Sequence, residues 1–333
     1  THPLAQVEVD FTADYFDYYA GWARIYEGEI IQSDRPRENI LLYRQPIGVV
    51  VGICPWNFPF FVMARKVAPS LLVGCTAVIK PSSVAPATTM EFARLVAQEV
   101  DLPAGVLNII TGGGGSMGEA LASSPQADMV SLTGSVEAGQ RIIAASAETV
   151  TKVSLELGGK APAIVCQDAD LDLAVRAVTA SRTIFSGQVC NCAERLYVHE
   201  SIADQFAEKL AVAFNNVRLG NPFDDPAPDM CSQISAEHIE KIEAMVKRAQ
   251  ADGAETVTGG ARAPQGNGYF YSPTLLRNCR QDMEIVRKEV FGPVLPMLTF
   301  RELDEAIMLA NDCEYGLTSS IYTSNISNAL EAV

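Results

Sequence analysis

Short apolar runs alternate with amphipathic stretches over most of the chain. Apolar runs bounded by polar or glycine-rich turns predict strands, and the candidates are 48–54, 76–80, 106–111, 129–133, 150–156, 163–166 and 196–199. The stretches between several of them repeat apolar residues at helical spacing, which predicts helices at 64–72, 88–100, 117–123, 137–147 and 171–184. Strands and helices that alternate in this way indicate an α/β fold with a parallel sheet covered on both faces.

The pattern changes on either side of this region. Residues 9–27 have aromatic and aliphatic side chains at helical spacing and predict a helix, whereas the charged, strand-like stretch 29–46 predicts an exposed hairpin or arm. Beyond residue 200 the pattern is less regular, and it predicts helices at 202–217 and 236–251. Two stretches rich in Pro, Gly and Asp are predicted to be loops, at 221–229 and 259–268.

Composition places the chain among large acidic proteins with a sizeable core. It has 333 residues, 48% of them hydrophobic, and a formal net charge of −15. A length of this order suits two domains. The negative charge argues against a nucleic-acid or anionic-membrane partner, because phosphates would be repelled. No apolar run approaches the length of a membrane span, and no signal peptide is visible.

The cysteines and the chain ends add two further expectations. The eight cysteines are scattered without a CxxC pair and only three histidines occur, so no metal site is predicted. Scattered cysteines in a large acidic chain favour a cytoplasmic protein with reduced thiols. The chain opens at Thr1 without a methionine and stops at Val333 within a helical pattern. We therefore expect an internal fragment of a longer protein.

Two candidate features follow predicted strands. In Pro55-Trp56-Asn57-Phe58-Pro59, two prolines fix the backbone around Asn57, whose amide could donate to a developing oxyanion. A rigid turn with a capping Asn explains this segment equally well. Lys80, at the end of the next strand, could bond cofactor hydroxyls or a phosphate, although a solvated strand-end lysine is the simpler interpretation.

Glycine-rich turns follow two later strands. Gly112, Gly114 and Gly118 fit GxGxxxG rather than the usual GxGxxG, and such a loop lets backbone N–H groups approach a pyrophosphate. A merely flexible loop is the alternative. In Thr133-Gly134-Ser135, the Ser135 hydroxyl could cap a helix or contact phosphate.

A carboxylate and a cysteine complete the candidate chemistry. Glu156 ends a predicted strand in Glu156-Leu157-Gly158-Gly159-Lys160, and Cys190 follows Gly187-Gln188-Val189. A thiolate is a nucleophile, and a carboxylate near a thioester could activate water. Most free cysteines simply pack as small hydrophobic side chains, and Cys192 is interpreted in that way.

In this order and spacing the motifs resemble those of the NAD(P)-dependent aldehyde dehydrogenases. The matching strings are PWNFP at 55–59, KPS at 80–82, TGS at 133–135, ELGGK at 156–160, GQVC at 187–190 and EVFGP at 289–293. The resemblance runs from about residue 9 to the end. It implies an α/β fold with a Rossmann-type parallel-sheet cofactor domain, an α/β catalytic domain and an oligomerisation hairpin.

The resemblance also implies domain bounds and an assembly. The NAD(P)-binding domain would comprise 1–28 and 47–158, the hairpin 29–46 and the catalytic domain 159–333. The intact protein would be a homodimer or homotetramer.

The resemblance assigns catalytic roles to three residues. Cys190 would attack the aldehyde to give a thiohemiacetal, whose oxyanion would be held by Asn57 and the Cys190 backbone N–H. Hydride would pass to the nicotinamide and leave a thioester. Glu156 would then activate the water that hydrolyses the thioester to the acid.

The resemblance assigns cofactor contacts as well. Lys80 would bond the adenosine ribose, Ser135 would contact the pyrophosphate, and Glu289 would bond the nicotinamide ribose. Phe291 would pack against the nicotinamide, and Gly158 would lie beside its ring, where a side chain would obstruct it. The remaining residues assigned to cofactor binding are Trp56, Ser82, Ser83 and Gly114.

Departures from the family pattern bear on cofactor and substrate. Many members that prefer NAD carry Glu where this chain has Ser83. A carboxylate there would accept from the ribose 2′-OH and repel a 2′-phosphate, and serine does neither strongly. NAD is the favoured cofactor, and NADP is kept as an alternative. Arg65 stands where many relatives have an aromatic residue, and with Asn191 it suggests a polar pocket for a small hydroxylated aldehyde. An ion-paired surface arginine is the alternative for Arg65. The surrounding strings look most like the lactaldehyde and glycolaldehyde dehydrogenase branch.

Other functions remain open at this stage. The substrate could be another aldehyde, such as a semialdehyde or an aromatic aldehyde. A catalytically silent relative is a second alternative, although such a protein would have no chemical need to keep Cys190, Glu156 and Asn57 together. A third is an enzyme that passes the thioester to coenzyme A, against which Glu156 argues, because such relatives typically lack this base.

Overall fold

A computed structural model describes residues 1–224, 226–264 and 268–332. The chain divides into two compact units, which are described separately below. The N-terminal unit is Ala5–Leu157, and the C-terminal unit is Gly158–Val333 together with Thr1–Leu4. No helix of the described residues is long and apolar enough to cross a membrane.

The N-terminal unit is built around a parallel sheet. Its strands and helices, with the first helix starting just outside the unit, are α1 (His2–Gly21), β1 (Glu29–Gln32), β2 (Asn39–Leu42), β3 (Val49–Ile53), α2 (Phe61–Leu72), β4 (Thr76–Lys80), α3 (Ala87–Glu99), β5 (Leu107–Ile109), α4 (Glu119–Ala122), β6 (Met129–Thr133), α5 (Val136–Ser146) and β7 (Lys152–Glu156). The sheet has the order β5-β4-β3-β6-β7, and every neighbouring pair is parallel.

The central strand β3 pairs with β4 on one side and β6 on the other, in registers that join Val50 to Ala77 and to Met129. Its apolar run is buried because helices cover both faces of such a sheet. The parallel α/β sheet expected from the sequence is therefore confirmed for this unit.

Two segments before the sheet differ in how well the sequence predicts them. Helix α1 begins seven residues before the predicted start at residue 9, since Pro3 is tolerated in the first turn of a helix. It ends at Gly21, and a short 3₁₀ turn, Trp22–Arg24, follows. Strands β1 and β2 form an antiparallel hairpin within the predicted stretch 29–46, and all eight of their residues are exposed.

The C-terminal unit has a larger, mixed sheet. Its strands and helices are β8 (Pro162–Val165), α6 (Leu171–Thr183), β9 (Arg195–His199), α7 (Ala203–Asn215), α8 (Ala236–Ala251), β10 (Glu255–Thr258), β11 (Thr274–Arg277), α9 (Glu284–Arg287), β12 (Val294–Phe300), α10 (Leu303–Asn311), β13 (Ser320–Tyr322) and α11 (Ile326–Glu331). The sheet order is β10-β11-β12-β9-β8-β13, and β10 is the antiparallel edge strand. The predicted loop 259–268 lies partly outside the described residues.

Candidate functional site

The proline-flanked segment 55–59 connects β3 to α2 at the carboxyl edge of the first sheet. Its first half places Trp56 and Asn57 in half-buried positions. The segment is anchored where α2 begins, because the Glu8 carboxylate accepts the backbone N–H groups of Phe60 and Phe61 at 2.9 and 3.0 Å. A carboxylate is the preferred partner for helix N-terminal N–H groups. The Asn57 amide is thus carried on a fixed turn.

A buried lysine lies on α2 behind this turn. Lys66 donates from Nζ to the hydroxyls of Ser131 and Thr133 at 3.1 and 3.0 Å. Burial lowers the pKa of Lys66 to about 8, and the charge of Glu156 opposes that shift. Lys66 is not among the site residues predicted from the sequence. Its signal was available, since a lysine on the apolar face of an amphipathic helix is rarely buried without polar partners.

Glu156 ends β7 and lies beside Arg65 of α2. The Arg65 Nη2 atom is 3.8 Å from Glu156 Oε1, and the two side chains are 44% and 48% exposed. This distance makes an ion pair without a close hydrogen bond. Arg65 therefore forms an ion pair, as the alternative interpretation expects. The role of Arg65 in substrate binding remains a prediction.

The glycine-rich turn borders a cavity of about 280 Å³ in the N-terminal unit. Its lining includes Gly114, Gly115 and Ser135. A Cβ built on either glycine meets no atom within 4 Å, so internal packing does not require glycine there. Bare backbone facing open space suits a ligand that approaches closely, and the volume is near the lower end of small-molecule sites, which span about 300 to 1,000 Å³. These residues fit part of a dinucleotide.

Ser135 also begins α5. Its hydroxyl accepts the backbone N–H of Ala138 at 3.2 Å, so it caps the helix whose first turn faces the cavity. Anions are favoured at such a helix start because its N–H groups carry partial positive charge. The capping role is therefore present, and the phosphate contact stays a prediction.

The other predicted cofactor residues of this unit lie around the end of β4. Lys80 is 3% exposed and donates from Nζ to the Pro81 carbonyl at 3.1 Å, and burial lowers its pKa. Ser82 is half-buried and Ser83 is exposed. Lys80 is therefore not the solvated strand-end lysine of the alternative interpretation.

In the C-terminal unit, a strained turn precedes Cys190. Phe185, Ser186 and Gly187 are three consecutive residues with positive φ, at 47°, 60° and 76°. Such a conformation costs energy for the two non-glycine residues and persists only where surrounding contacts hold it. A Cβ at Gly187 would lie 2.5 Å from the Gly292 carbonyl oxygen, so only glycine permits this approach.

The two cysteines of this loop differ in their surroundings. Cys190 is half-buried, whereas Cys192 is 3% exposed and donates from Sγ to the Val189 carbonyl at 2.9 Å. Burial raises the pKa of Cys192 to about 11. The predicted substrate residue Asn191, between them, is exposed. Cys192 therefore has the properties of a packed thiol.

Glu289 lies in close contact with Gly158 and Gly159 of the 156–160 string. Glu289 Oε1 accepts the Gly159 backbone N–H at 3.0 Å, and burial raises the pKa of Glu289. A Cβ at Gly158 would be 2.5 Å from the Glu289 carboxylate, and one at Gly159 would be 2.4 Å from the Cys190 carbonyl oxygen. Both glycines are thus needed for packing within this unit.

Phe291 follows Glu289 in the predicted cofactor segment. It has a φ of 59°, and its carbonyl oxygen lies 2.7 Å from His238 Nε2. Burial lowers the pKa of His238, which favours its neutral form. No local sequence pattern predicts a role for this histidine, because 53 residues separate it from its partner.

The predicted site residues are thus distributed over both units. Asn57, Arg65 and Glu156 belong to the N-terminal unit, and Cys190 and Glu289 belong to the C-terminal unit. Within the described residues, no group of three or more His, Cys, Asp or Glu side chains could hold a metal ion. The C-terminal unit offers a candidate nucleophile, and the N-terminal unit offers a solvent-accessible carboxylate and a glycine-lined cavity, which are groups that cofactor-dependent acyl chemistry requires.

Comparisons with known proteins bear on this interpretation. The model of the "Aldehyde dehydrogenase family" matches residues 1–333. The chain is 56% identical over 330 residues to lactaldehyde dehydrogenase of Escherichia coli (strain K12), and the match covers 99% of this chain and 68% of that protein.

Two solved structures have a similar fold. A crystal structure of lactaldehyde dehydrogenase from Escherichia coli has a TM-score of 0.96 at 55% identity, covering 99% of this chain and 69% of that one. A structure of betaine aldehyde dehydrogenase from Staphylococcus aureus in complex with NAD⁺ has a TM-score of 0.95 at 39% identity, covering 98% and 65%. The fold implied by the resemblance is therefore confirmed.

Proposed function

The chain belongs to the aldehyde dehydrogenase family, and from this premise we propose that it oxidises a small hydroxyaldehyde, such as lactaldehyde or glycolaldehyde, to the carboxylic acid with NAD(P). The observation that carries the proposal is the strained turn at 185–187, which precedes the half-buried Cys190. Strain of this kind clusters at functional sites. Identity of 56% to a lactaldehyde dehydrogenase supports the substrate class.

In the proposed reaction, Cys190 is the nucleophile. Its thiolate attacks the aldehyde carbon, and the C–S bond forms as the carbonyl π electrons move to oxygen. Asn57 donates from its amide to that oxyanion, together with the Cys190 backbone N–H. The anchoring of α2 by Glu8 supports this role, because a preorganised donor stabilises developing charge without having to move.

Glu156 is the proposed general base for the second half of the reaction. It removes a proton from water as the water oxygen attacks the thioester carbon, and the thiolate of Cys190 leaves with the C–S electron pair. The half-exposed Glu156 side chain supports this role, since water must reach it.

Bound NAD(P)⁺ supplies the acceptor for the hydride that leaves the thiohemiacetal carbon. In the N-terminal unit, we propose that Gly114 and Ser135 hold the pyrophosphate and that Lys80, Ser82 and Ser83 lie along the adenosine ribose, with Trp56 among the contacts. In the C-terminal unit, Glu289 would bond the nicotinamide ribose and Phe291 would pack against the ring beside Gly158.

NAD is the favoured cofactor of the proposed reaction. Ser83 has no carboxylate with which to repel a 2′-phosphate, so NADP stays open. A comparison of Michaelis constants tests the preference. NADP used as well as NAD would contradict it.

The proposed substrate contacts are Arg65 and Asn191. Both side chains belong to exposed residues and are polar, which suits a hydroxyl group next to the reacting carbonyl. The cation of Arg65 can donate to such a hydroxyl in addition to pairing with Glu156.

We further propose that the enzyme is a cytoplasmic homodimer or homotetramer. The hairpin within 29–46 supports an oligomer, because its strands expose Ile30 at 83% and Leu41 at 50%. Exposed apolar side chains on an isolated two-stranded hairpin are costly unless another surface covers them. The proposed cofactor domain is 1–28 with 47–158, and the proposed catalytic domain is 159–333.

The test is to follow NADH formation at 340 nm by the full-length enzyme with lactaldehyde, glycolaldehyde, propanal and benzaldehyde. Cys190→Ala should abolish oxidation, and Cys313→Ala, at another half-buried cysteine, should leave it unchanged. The highest kcat/KM on the hydroxyaldehydes is expected. The highest value on benzaldehyde would overturn the substrate class, and no activity from a folded, NAD-binding enzyme would overturn the function.

A further inference from the structure

A buried cluster of charges lies in the C-terminal unit, apart from the residues to which the proposed chemistry is assigned. Lys160, Arg182 and Glu194 have side chains that are 0%, 0% and 1% exposed. Glu194 Oε2 lies 2.7 Å from Lys160 Nζ, and Glu194 Oε1 lies 2.8 Å from Arg182 Nη1. Burial by itself raises the pKa of Glu194, but the two cations outweigh it and hold the pKa below its usual range. Glu194 is therefore an ionised carboxylate without access to water.

The Arg182 end of the cluster holds the loop that carries Cys190. Arg182 Nη1 donates to the Ala193 carbonyl at 2.7 Å, and Nη2 donates to the Gly187 carbonyl. These two carbonyls lie on either side of Cys190 in the sequence. One planar guanidinium thus fixes the spacing between both ends of the nucleophile loop, defined as residues 187–193.

The Glu194 end holds the segment proposed to contact the nicotinamide. Glu194 Oε2 accepts the Val290 backbone N–H at 3.2 Å, and Oε1 accepts the Phe291 N–H at 3.1 Å. Each carboxylate oxygen therefore serves one cation and one backbone N–H. Since Phe291 has a left-handed backbone, the contacts of Glu194 stabilise a conformation that would otherwise relax.

Stability alone does not account for this arrangement. Buried charges are costly to desolvate, and well-packed apolar side chains often replace them at no loss of stability. The distinguishing property here is that the charged side chains hydrogen-bond the backbones of two separate loops. Arg182 bonds the nucleophile loop, and Glu194 bonds the 289–291 segment. Gly187 adds a direct contact between the same loops, because its Cα lies against the Gly292 backbone with no room for a Cβ.

We propose that Glu194 is a positioning residue. Together with Arg182, to which it is paired, it fixes the position of the nucleophile loop relative to the 289–291 segment. Cofactor binding at that segment is thereby coupled to the reactivity of Cys190. The proposal rests on the proposed function, because it takes Cys190 as nucleophile and Glu289 and Phe291 as cofactor contacts.

The test is Glu194→Gln, which keeps the shape of the side chain and removes its charge. The amide oxygen can accept one backbone N–H, but the NH₂ group cannot accept the other. We expect the KM for NAD to rise on the order of tenfold, the size of one charge-assisted hydrogen bond. Two further readouts do not need turnover: NAD binding by calorimetry, and alkylation of Cys190 by iodoacetamide with and without NAD.

In the wild type, saturating NAD should change the rate of Cys190 alkylation, and in Glu194→Gln this response should be reduced severalfold. The matched control is Glu200→Gln, since Glu200 pairs with Arg301 at 2.9 Å on the exposed surface of the same unit. The control should bind NAD and react with iodoacetamide like the wild type.

A folded Glu194→Gln enzyme with unchanged NAD binding and an unchanged alkylation response would overturn the proposal. If Glu194→Gln does not fold, Arg182→Lys decides, because a lysine keeps the charge but cannot bridge both loop carbonyls and Glu194 with a planar fork. A folded Arg182→Lys enzyme with the wild-type response would overturn it equally. Failure of the proposed function is distinct, because then the wild type itself would oxidise no aldehyde.

Discussion

Glu156 and Glu194 are both carboxylates beside arginines, yet their surroundings are opposite. Glu156 is 48% exposed, and its arginine stands 3.8 Å away. Glu194 is 1% exposed and has two cations and two backbone N–H groups within 3.2 Å. Water can reach a half-exposed carboxylate, whereas a buried carboxylate with all its lone pairs occupied can only hold its partners in place.

If Glu156 is the proposed general base, the comparison shows how burial can assign one carboxylate to chemistry and another to holding the backbone in place. Removing a buried partner leaves an uncompensated charge in a medium of low polarity, so Glu194 should matter for stability. An exposed ion pair contributes little, so Glu156 should matter for rate and hardly for stability. The following changes would break or sharpen this contrast.

The largest effect is expected from Glu156→Gln. Loss of the proposed general base should lower kcat by about 10²- to 10⁴-fold, while the melting temperature stays within about 2 °C of the wild type. Steady-state kinetics and thermal unfolding of the same preparation check both expectations. A kcat within threefold of the wild type would remove Glu156 from the mechanism.

Glu194→Ala should have the complementary effect. We expect a loss of about 3 to 5 kcal/mol in the free energy of unfolding, because Lys160 and Arg182 would remain buried without their anion. Denaturant unfolding measures the loss, with Glu156→Ala as the comparison, for which less than about 1 kcal/mol is expected. Equal losses in the two variants would show that burial does not separate the two carboxylates.

Arg65→Met is expected to act on selectivity. Because the methionine cannot donate to a hydroxyl, kcat/KM for lactaldehyde should fall about tenfold, an effect of about 1.4 kcal/mol, while propanal is oxidised nearly as before. The ratio of the two specificity constants is the measurement. An unchanged ratio would exclude Arg65 from substrate selection.

The smallest effect is expected in the alkylation of two neighbouring thiols, Cys190 and Cys192. They differ in burial, as the two carboxylates do. Burial raises the pKa of Cys192 to about 11, so the folded protein keeps this thiol protonated at pH 8. At that pH about one Cys192 in a thousand is a thiolate, and the fraction grows as the pH rises towards 11. Mass spectrometry after brief iodoacetamide treatment at pH 8 should find Cys190 modified and Cys192 intact. Equal labelling of both would contradict the assignment.

The strands of the first sheet could be predicted from the sequence, and the reason is physical. Strands buried on both faces need continuous apolar runs, and β4 and β6 have the predicted bounds of Thr76–Lys80 and Met129–Thr133. In the later half, β10 reads Glu-Thr-Val-Thr with an exposed start, and β12 contains Pro296, so neither resembles such a run. Pairing with distant neighbours, rather than local pattern, decides these strands.

The candidate site divides in the same way. Cys190, Glu156 and Asn57 were named from motifs, and their roles remain predictions. Glu194 and Arg182 gave no signal, since their loop partners lie up to 97 residues away and a charged residue in a sequence is ordinarily solvated. Only the folded chain reveals that these charges are enclosed.

The parallel pairing of β3 has a consequence for the order of assembly during synthesis. Its Val50 pairs with Met129, 79 residues later, and β7 joins beyond that strand only at Lys152–Glu156. Contacts so distant in sequence form slowly, because the closure of long loops must precede them. A nascent chain that has emerged only as far as α3 therefore carries β3 with one edge unpaired, where backbone N–H and C=O groups lack their β6 partners. We expect the growing polypeptide to be prone to aggregation during this interval, before β6 arrives.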